Sequence, residues 1–305
     1  MKIKLLILFL SFSVGAFSQM ISDKKSTFIY KVVDNHEIKA NIFLPETIGL
    51  HPVVVYFHGG GFMFGNRDKG LNGFLKDKLL EKGYAVVSAD YRLAPETKLD
   101  GIIEDVGDVI DWLRKNGVEK YGVDKNKIAV AGGSAGGYLA LTAGFNKSNA
   151  PNAIIAISTP TGFSKTLPEM GDLSLLKEAG PYEIVKDSPV SYGDYSSRMN
   201  LWRFLVRNRL ANYELFGFDP SKDRERLKQF TLVDNIDEDY PPVLVVHAKY
   251  DRLINLKDVT DFQKFLGEKK VANEFYFVNF GHSSELINQN PDAVDKMVEF
   301  LKNEM

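Results

Sequence analysis

The sequence predicts an α/β protein built on a mostly parallel, doubly wound sheet. Three observations carry this expectation. Short apolar runs recur along the chain after residue 26, the middle ones are unbroken and β-branched, and stretches with helical periodicity lie between them. Strands covered by helices on both faces read as continuous Val/Ile/Leu runs, and strands alternating with helices imply parallel crossover units.

"TFIYKV" and "EIKANIFL" alternate apolar and polar residues, as an opening antiparallel pair does. Six further strands are expected at "PVVVYF" (52–57), "AVVSA" (85–89), "IAVA" (128–131), "AIIAIS" (153–158), "VLVVH" (243–247) and "EFYFV" (274–278), giving eight in all. "LNGFLKDKLLEKG", "IIEDVGDVIDWLRKNG" and "KDVTDFQKFLGEKK" place apolar residues three and four apart, the spacing of one helix face. Gly83 and Gly117 stand where the first two should stop. Residues 159–240 break the rhythm with prolines, many charges and the aromatics Trp202, Phe204, Tyr213, Phe216 and Phe218. That segment reads as a helical cap insertion whose aromatics mainly pack together. It divides a core made of residues 19–158 and 241–305.

At 305 residues, 44% hydrophobic and 26% charged, the composition is that of an ordinary globular protein. The formal charge of −2 offers no basic surface for nucleic acid. Lys2 and Lys4 precede an apolar stretch from Leu5 to Ala16, and Ala16 and Ser18 form a small-residue cleavage site. Residues 1–18 are therefore expected to be a signal peptide, with the mature chain secreted or periplasmic. The apolar stretch is short for a membrane span of about 20 residues, so no stable membrane insertion is expected after cleavage. The absence of cysteine excludes disulfides, thiolate metal sites and a cysteine nucleophile.

In "AVAGGSAGGYLAL", residues 129–141, four glycines surround one serine between a strand and a helix. Gly132-Gly133-Ser134-Ala135-Gly136 fits G-x-S-x-G, a sharp turn that exposes a nucleophilic serine above the helix that follows. The phosphate-loop pattern fails because Tyr138 follows Gly137, and the dinucleotide pattern fails because Ser134 replaces its second glycine. "HGGGF" (58–62) follows another strand, and its backbone N–H groups suit an oxyanion. Gly60 and Gly61, with the Ala135 N–H, are the expected oxyanion donors. His282 in "NFGHSS" follows the last strand and is the expected base. Asp251 in "HAKYDRL" follows the penultimate strand and is the expected orienting acid, with Asp258 and Asp239 as rivals. His58 is expected to brace its loop and His247 to be structural. The order Ser134, Asp251, His282, each after a strand C-terminus, is that of one serine-hydrolase fold. Phe62 and Phe64 are expected to line the substrate site.

At these motifs the chain resembles the α/β-hydrolase superfamily, and within it the hormone-sensitive-lipase-like carboxylesterases of the fold-3 type. "HGGGF", "ADYRLAPE" (89–96) and "GGSAGG" stand in that family's order. The resemblance covers roughly residues 50–158 and 241–305. It implies an α/β-hydrolase fold, cofactor- and metal-free ester hydrolysis, a Ser134–His282–Asp251 triad, and structural roles for Asp90 and Arg92. Gly133 replaces the family's usual aspartate, Arg252 replaces the usual proline, and no long N-terminal cap segment precedes the strands. These departures lean toward the related feruloyl and acetyl-xylan esterases, so small or carbohydrate-linked esters are the expected substrates. Two rival readings belong to the same fold. A noncatalytic ligand-binding protein of this fold normally lacks a triad member, and none is missing. A serine peptidase of the superfamily is the second, and the missing N-terminal propeller or similar gating domain argues against an oligopeptidase.

Overall fold

The computed structural model describes residues 25–161, 169–177 and 195–305; the leader reading lies outside the described residues. The strands are β1 (Lys25–Val33), β2 (His36–Phe43), β3 (His51–Phe57), β4 (Ala85–Ala89), β5 (Val123–Gly133), β6 (Ala153–Ile157), β7 (Val243–Ala248) and β8 (Asn273–Val278). They form one eight-stranded sheet in the order β1-β2-β4-β3-β5-β6-β7-β8. β1 and β2 pair antiparallel with each other, as do β2 and β4, and every other pair is parallel. All eight strands coincide with apolar runs in the sequence.

The helices are α1 (Gly73–Glu81), α2 (Leu99–Trp112), α3 (Val118–Tyr121), α4 (Ala135–Thr142), α5 (Tyr195–Arg207), α6 (Ala211–Phe216), α7 (Arg224–Lys228), α8 (Leu232–Asn235), α9 (Leu256–Glu268), α10 (Ser284–Gln289) and α11 (Pro291–Glu304). α2, α4 and α9 bury their apolar faces in one cluster with Val55, Val130 and Val245 on one side of the sheet. α1 and α11 cover Val54, Val86 and Val246 on the other. Burial on both faces is why the central strands are Val/Ile-rich throughout rather than alternating.

Gly117 does not end its helix. The chain passes through a wider turn, Leu113–Gly117, into α3 and stops at Gly122, whose φ is 66°. Gly117 instead sits at a close approach: a Cβ there would lie 3.2 Å from the Val123 Cβ as the chain turns into β5.

The helices between β6 and β7 share the core of the sheet. Leu201, Leu205, Leu210 and Leu215 are buried in the same cluster as α2 and α4. Phe216 packs on Phe230 and Phe218 with ring centroids 5.2 and 5.8 Å apart, so these aromatics pack together as the sequence suggested. The Tyr138 hydroxyl donates to the Phe230 carbonyl and the Tyr240 hydroxyl to that of Leu141, tying α4 to the segment. Arg198 of α5 fastens it at a second point. Its guanidinium bonds both Glu96 carboxylate oxygens at 2.8 Å, the Met63 carbonyl at 2.6 Å and the Ala94 carbonyl at 3.1 Å. Met63 follows the "HGGGF" turn directly, so this clamp sets α5 over that turn.

Two ion pairs stiffen the "DYR" stretch. Asp90 is buried, pairs with the Arg67 guanidinium and accepts from the Arg67 N–H at 2.7 Å. Arg92 grips Asp105 through Nε and Nη2 at 2.8–3.0 Å. Neither pair lines the cavity described below.

Breaking a buried pair leaves an uncompensated charge and costs about 3–5 kcal/mol. Arg198→Ala strands Glu96 and removes two carbonyl contacts. It is expected to lower stability by about 3 kcal/mol in denaturant titration and to speed proteolytic cleavage within residues 195–240.

Candidate active site

The hydroxyl of Ser134 is presented by a turn under strain. Ser134 has φ 56° and ψ −121°, between the end of β5 and the first residue of α4. A non-glycine residue in so sparse a region costs roughly 1–3 kcal/mol and is kept only where its surroundings over-determine it. Here they do. The Ser134 N–H donates to the Ile157 carbonyl at 2.8 Å, and its own carbonyl accepts from Gly137 and Tyr138 at 3.0 and 3.2 Å. The flanking glycines serve close approach rather than bending. A Cβ on Gly132 would stand 2.1 Å from the Gly136 carbonyl oxygen, and one on Gly136 would stand 2.0 Å from that of Phe57. The unusual dihedrals fall on the serine itself.

His282 and Asp251 meet although 31 positions apart, with Nδ1 to Oδ2 at 2.7 Å. The other Asp251 oxygen accepts from the Leu253 and Ile254 N–H groups at 2.8 and 3.1 Å. The Asp251 side chain is fully buried. Burial pushes its carboxyl up, but the imidazole and the two N–H donors outweigh that and hold it below the ordinary carboxylate range. An ionised Asp251 fixes the imidazole with Nε2 free for proton transfer. The rivals lie elsewhere: Asp258 sits in the first turn of α9, and Asp239 pairs with Lys147 at 3.1 Å.

Ser134 and His282 line one cavity of about 910 Å³, together with Gly60, Gly61, Phe62, Phe64 and Ala135. Among the described residues the Ser134 hydroxyl makes no hydrogen bond with His282; such contacts in unliganded sites often tighten when substrate arrives.

The "HGGGF" turn is shaped by its glycines. Gly60 has φ 122° and Gly61 φ 57°. The Gly60 carbonyl accepts from Met63 and Phe64, both at 3.0 Å, which folds the loop back on itself. The N–H groups of Gly60 and Gly61 find no acceptor among the described residues. Ala135 opens α4, where a helix leaves its first N–H groups without an internal acceptor. Gly60, Gly61 and Ala135 line the same cavity as Ser134.

His58 supports this turn from below. It is fully buried, stacks on Tyr91 with centroids 4.2 Å apart, and donates from Nδ1 to the Gly59 carbonyl at 2.7 Å. Burial drives its pKa down to about 4, so it is neutral in the fold. His247 is also fully buried, with both ring nitrogens unpartnered among the described residues.

Phe62 is buried edge-on to Tyr138 at 5.7 Å and gives only part of its surface to the cavity. Phe64 packs edge-on to Tyr195 and Trp202 at 5.4 and 5.7 Å, forming an aromatic wall. Trp202 was not expected there, because the sequence reading gave the aromatics of 159–240 to internal packing. The Arg198 clamp brings it in, and a Cβ on Gly61 would meet its Nε1 at 2.3 Å. Tyr56, Asn66, Lys69 and Ser283 also line the cavity and were not singled out in the sequence. Ser283 alone carried a signal, being adjacent to His282.

This fold and arrangement define an α/β-hydrolase of the hormone-sensitive-lipase-like esterase type. The chain belongs to the BD-FAE family, whose model matches residues 40–266. It is similar to an esterase of Pyrobaculum calidifontis (26% identity, TM-score 0.67, covering 92% of this chain and 85% of that one). A truncated carbohydrate esterase from gut microbiota shares the fold at 18% identity, with a TM-score of 0.69 over 93% of this chain and 98% of that one. Esterase LipC of Mycobacterium tuberculosis is 28% identical over 212 residues, 69% of this chain and 47% of LipC. The chain spans 6% of the polyketide synthases atr1 of Stereocaulon alpinum and mapC of Penicillium brevicompactum, and less than half of LipC.

His58 makes stability depend on pH. Its folded pKa of about 4 lies below the unfolded value near 6.5, so protonation favours the unfolded chain. Its contribution is complete above pH 6.5 and declines as pH falls toward 4. Thermal melts of the wild type should drop across that window, and His58→Asn should flatten the slope whatever its absolute melting temperature.

Proposed function

We propose that the protein is a serine carboxylic-ester hydrolase acting through Ser134, His282 and Asp251. The observation that carries this reading is the strained Ser134 turn opening into the same cavity as an imidazole held by Asp251 at 2.7 Å. His282 takes the Ser134 proton as the hydroxyl attacks the ester carbonyl. The N–H groups of Gly60, Gly61 and Ala135 stabilise the tetrahedral oxyanion. His282 then gives the proton to the departing alcohol and activates water to release the acid.

The esterase and carbohydrate-esterase descriptions of the similar structures support this reaction. The wall of Phe64, Tyr195 and Trp202 supports an acyl group on that side, aromatic ones such as feruloyl gaining stacking that acetyl cannot. The ester substrate is a small molecule or carbohydrate-linked. The Lys-led apolar leader supports action after export, in a secreted or periplasmic setting.

Ser134→Ala should abolish both 4-nitrophenyl acetate hydrolysis and fluorophosphonate labelling, and retained turnover would sink the scheme. Asp251→Asn should lower kcat by about 10⁴-fold. Trp202→Ala should raise KM for feruloyl esters more than for acetyl esters, as read from a profile of acetyl, butyryl and feruloyl substrates.

A further inference from the structure

Besides the aromatic wall, the cavity has a polar lobe lined by Tyr56, Asn66, Lys69, Ser283 and Ser284. Its sides are the loop 65–70 and the start of the segment after His282, which are held together where Asn72 Nδ2 bonds the Asn288 side chain at 2.8 Å. Ser283 has φ 50° and ψ −117°, within a few degrees of the backbone of Ser134. Its Oγ is buried and has no hydrogen-bond partner among the described residues. A Cβ on Gly133 would lie 2.9 Å from that Oγ and 3.0 Å from the Tyr56 hydroxyl, so both hydroxyls border the space left by the glycine before the nucleophile. The Tyr56 hydroxyl makes no hydrogen bond among the described residues, and burial raises its pKa, keeping it a neutral donor.

Further along the lobe, Asn66 uses its Oδ1 to accept from the Asp68 and Lys69 N–H groups, leaving its amide N–H₂ unused among the described residues. The Lys69 ammonium joins no ion pair among the described residues. The neighbouring Asp68 is taken by Lys25 and the Asn41 amide, each at 2.8 Å. None of the described lining residues carries a carboxylate. The lobe therefore offers two buried hydroxyls and an exposed ammonium that joins no ion pair among the described residues.

Reaction chemistry decides which half of the ester meets this surface. His282 must protonate the leaving oxygen, so the alcohol lies on the His282 side, next to Ser283. We propose that this lobe is a subsite for an alcohol bearing both hydroxyls and a carboxylate, so that the preferred substrates are esters of sugar acids. Tyr56 and Ser283 bond the sugar hydroxyls, and Lys69 with Asn66 receives the carboxylate. The inference rests on the esterase reading and adds the class of the alcohol.

The test compares methyl galacturonoside and methyl galactoside, each esterified at O-3 with the acyl group that the ester profile selects. The two differ only in a carboxylate against a hydroxymethyl group. Wild-type kcat/KM should favour the acid by about tenfold, mostly through KM, the scale of one charge-assisted hydrogen bond. Lys69→Met should reduce that ratio to near one, and Lys69→Glu should invert it. Ser283→Ala should cost both sugar esters more than it costs 4-nitrophenyl acetate. Equal wild-type rates on the two sugars, or a ratio untouched by Lys69→Met, overturns the inference. With 4-nitrophenyl acetate hydrolysis still dependent on Ser134, that result leaves the esterase reading standing; loss of all Ser134-dependent hydrolysis overturns both.

Discussion

The packing around Ser134 is the constraint on which the rest of the site depends. A strained residue relaxes unless its neighbours forbid it. Here the Ser134 N–H is tied to β6, and Gly136 sits so close to the end of β3 that even a methyl group would collide with the Phe57 carbonyl. The strand order places β5 between β3 and β6, so one turn is gripped from both sides. The rigidity comes from buried parallel strands, which lift the Ser134 hydroxyl above the sheet edge.

The same edge gathers everything else. Parallel strands deliver their C-terminal loops to one side of a sheet, where open α/β sheets place their sites. β3 supplies the glycine turn, β5 the serine, β7 the aspartate and β8 the histidine. Polar groups under this surface are of two kinds. Asp90–Arg67 and Arg92–Asp105 neutralise each other and hold loops in place. Ser283, Tyr56 and Lys69 have no such partners among the described residues and face the cavity, where hydrogen-bonding capacity remains for a ligand.

The helices between β6 and β7 are joined to the core, and their contribution to the cavity follows from that. Arg198 reaches two backbone carbonyls beside the glycine turn and a carboxylate from "LAPE", so α5 cannot shift without disturbing the turn. The aromatic wall is consequently part sheet-loop and part insertion, Phe64 from one and Tyr195 and Trp202 from the other.

What the sequence by itself determined was local and periodic. The strands were legible because burial on both faces demands unbroken β-branched runs, and Ser134, Asp251 and His282 were legible because each follows such a run in a telling order. Gly117 misled because a glycine at a close approach to Val123 looks the same in sequence as one that ends a helix. Only tertiary structure decided the contacts between distant segments. It decided that Trp202 leaves its neighbouring aromatics for the cavity, because a clamp at Arg198 turns α5 toward the glycine loop. It likewise decided that Tyr56, Lys69 and Ser283, dispersed over more than two hundred positions, border one space. Such convergence depends on strand order and loop packing, which no periodicity along the chain encodes.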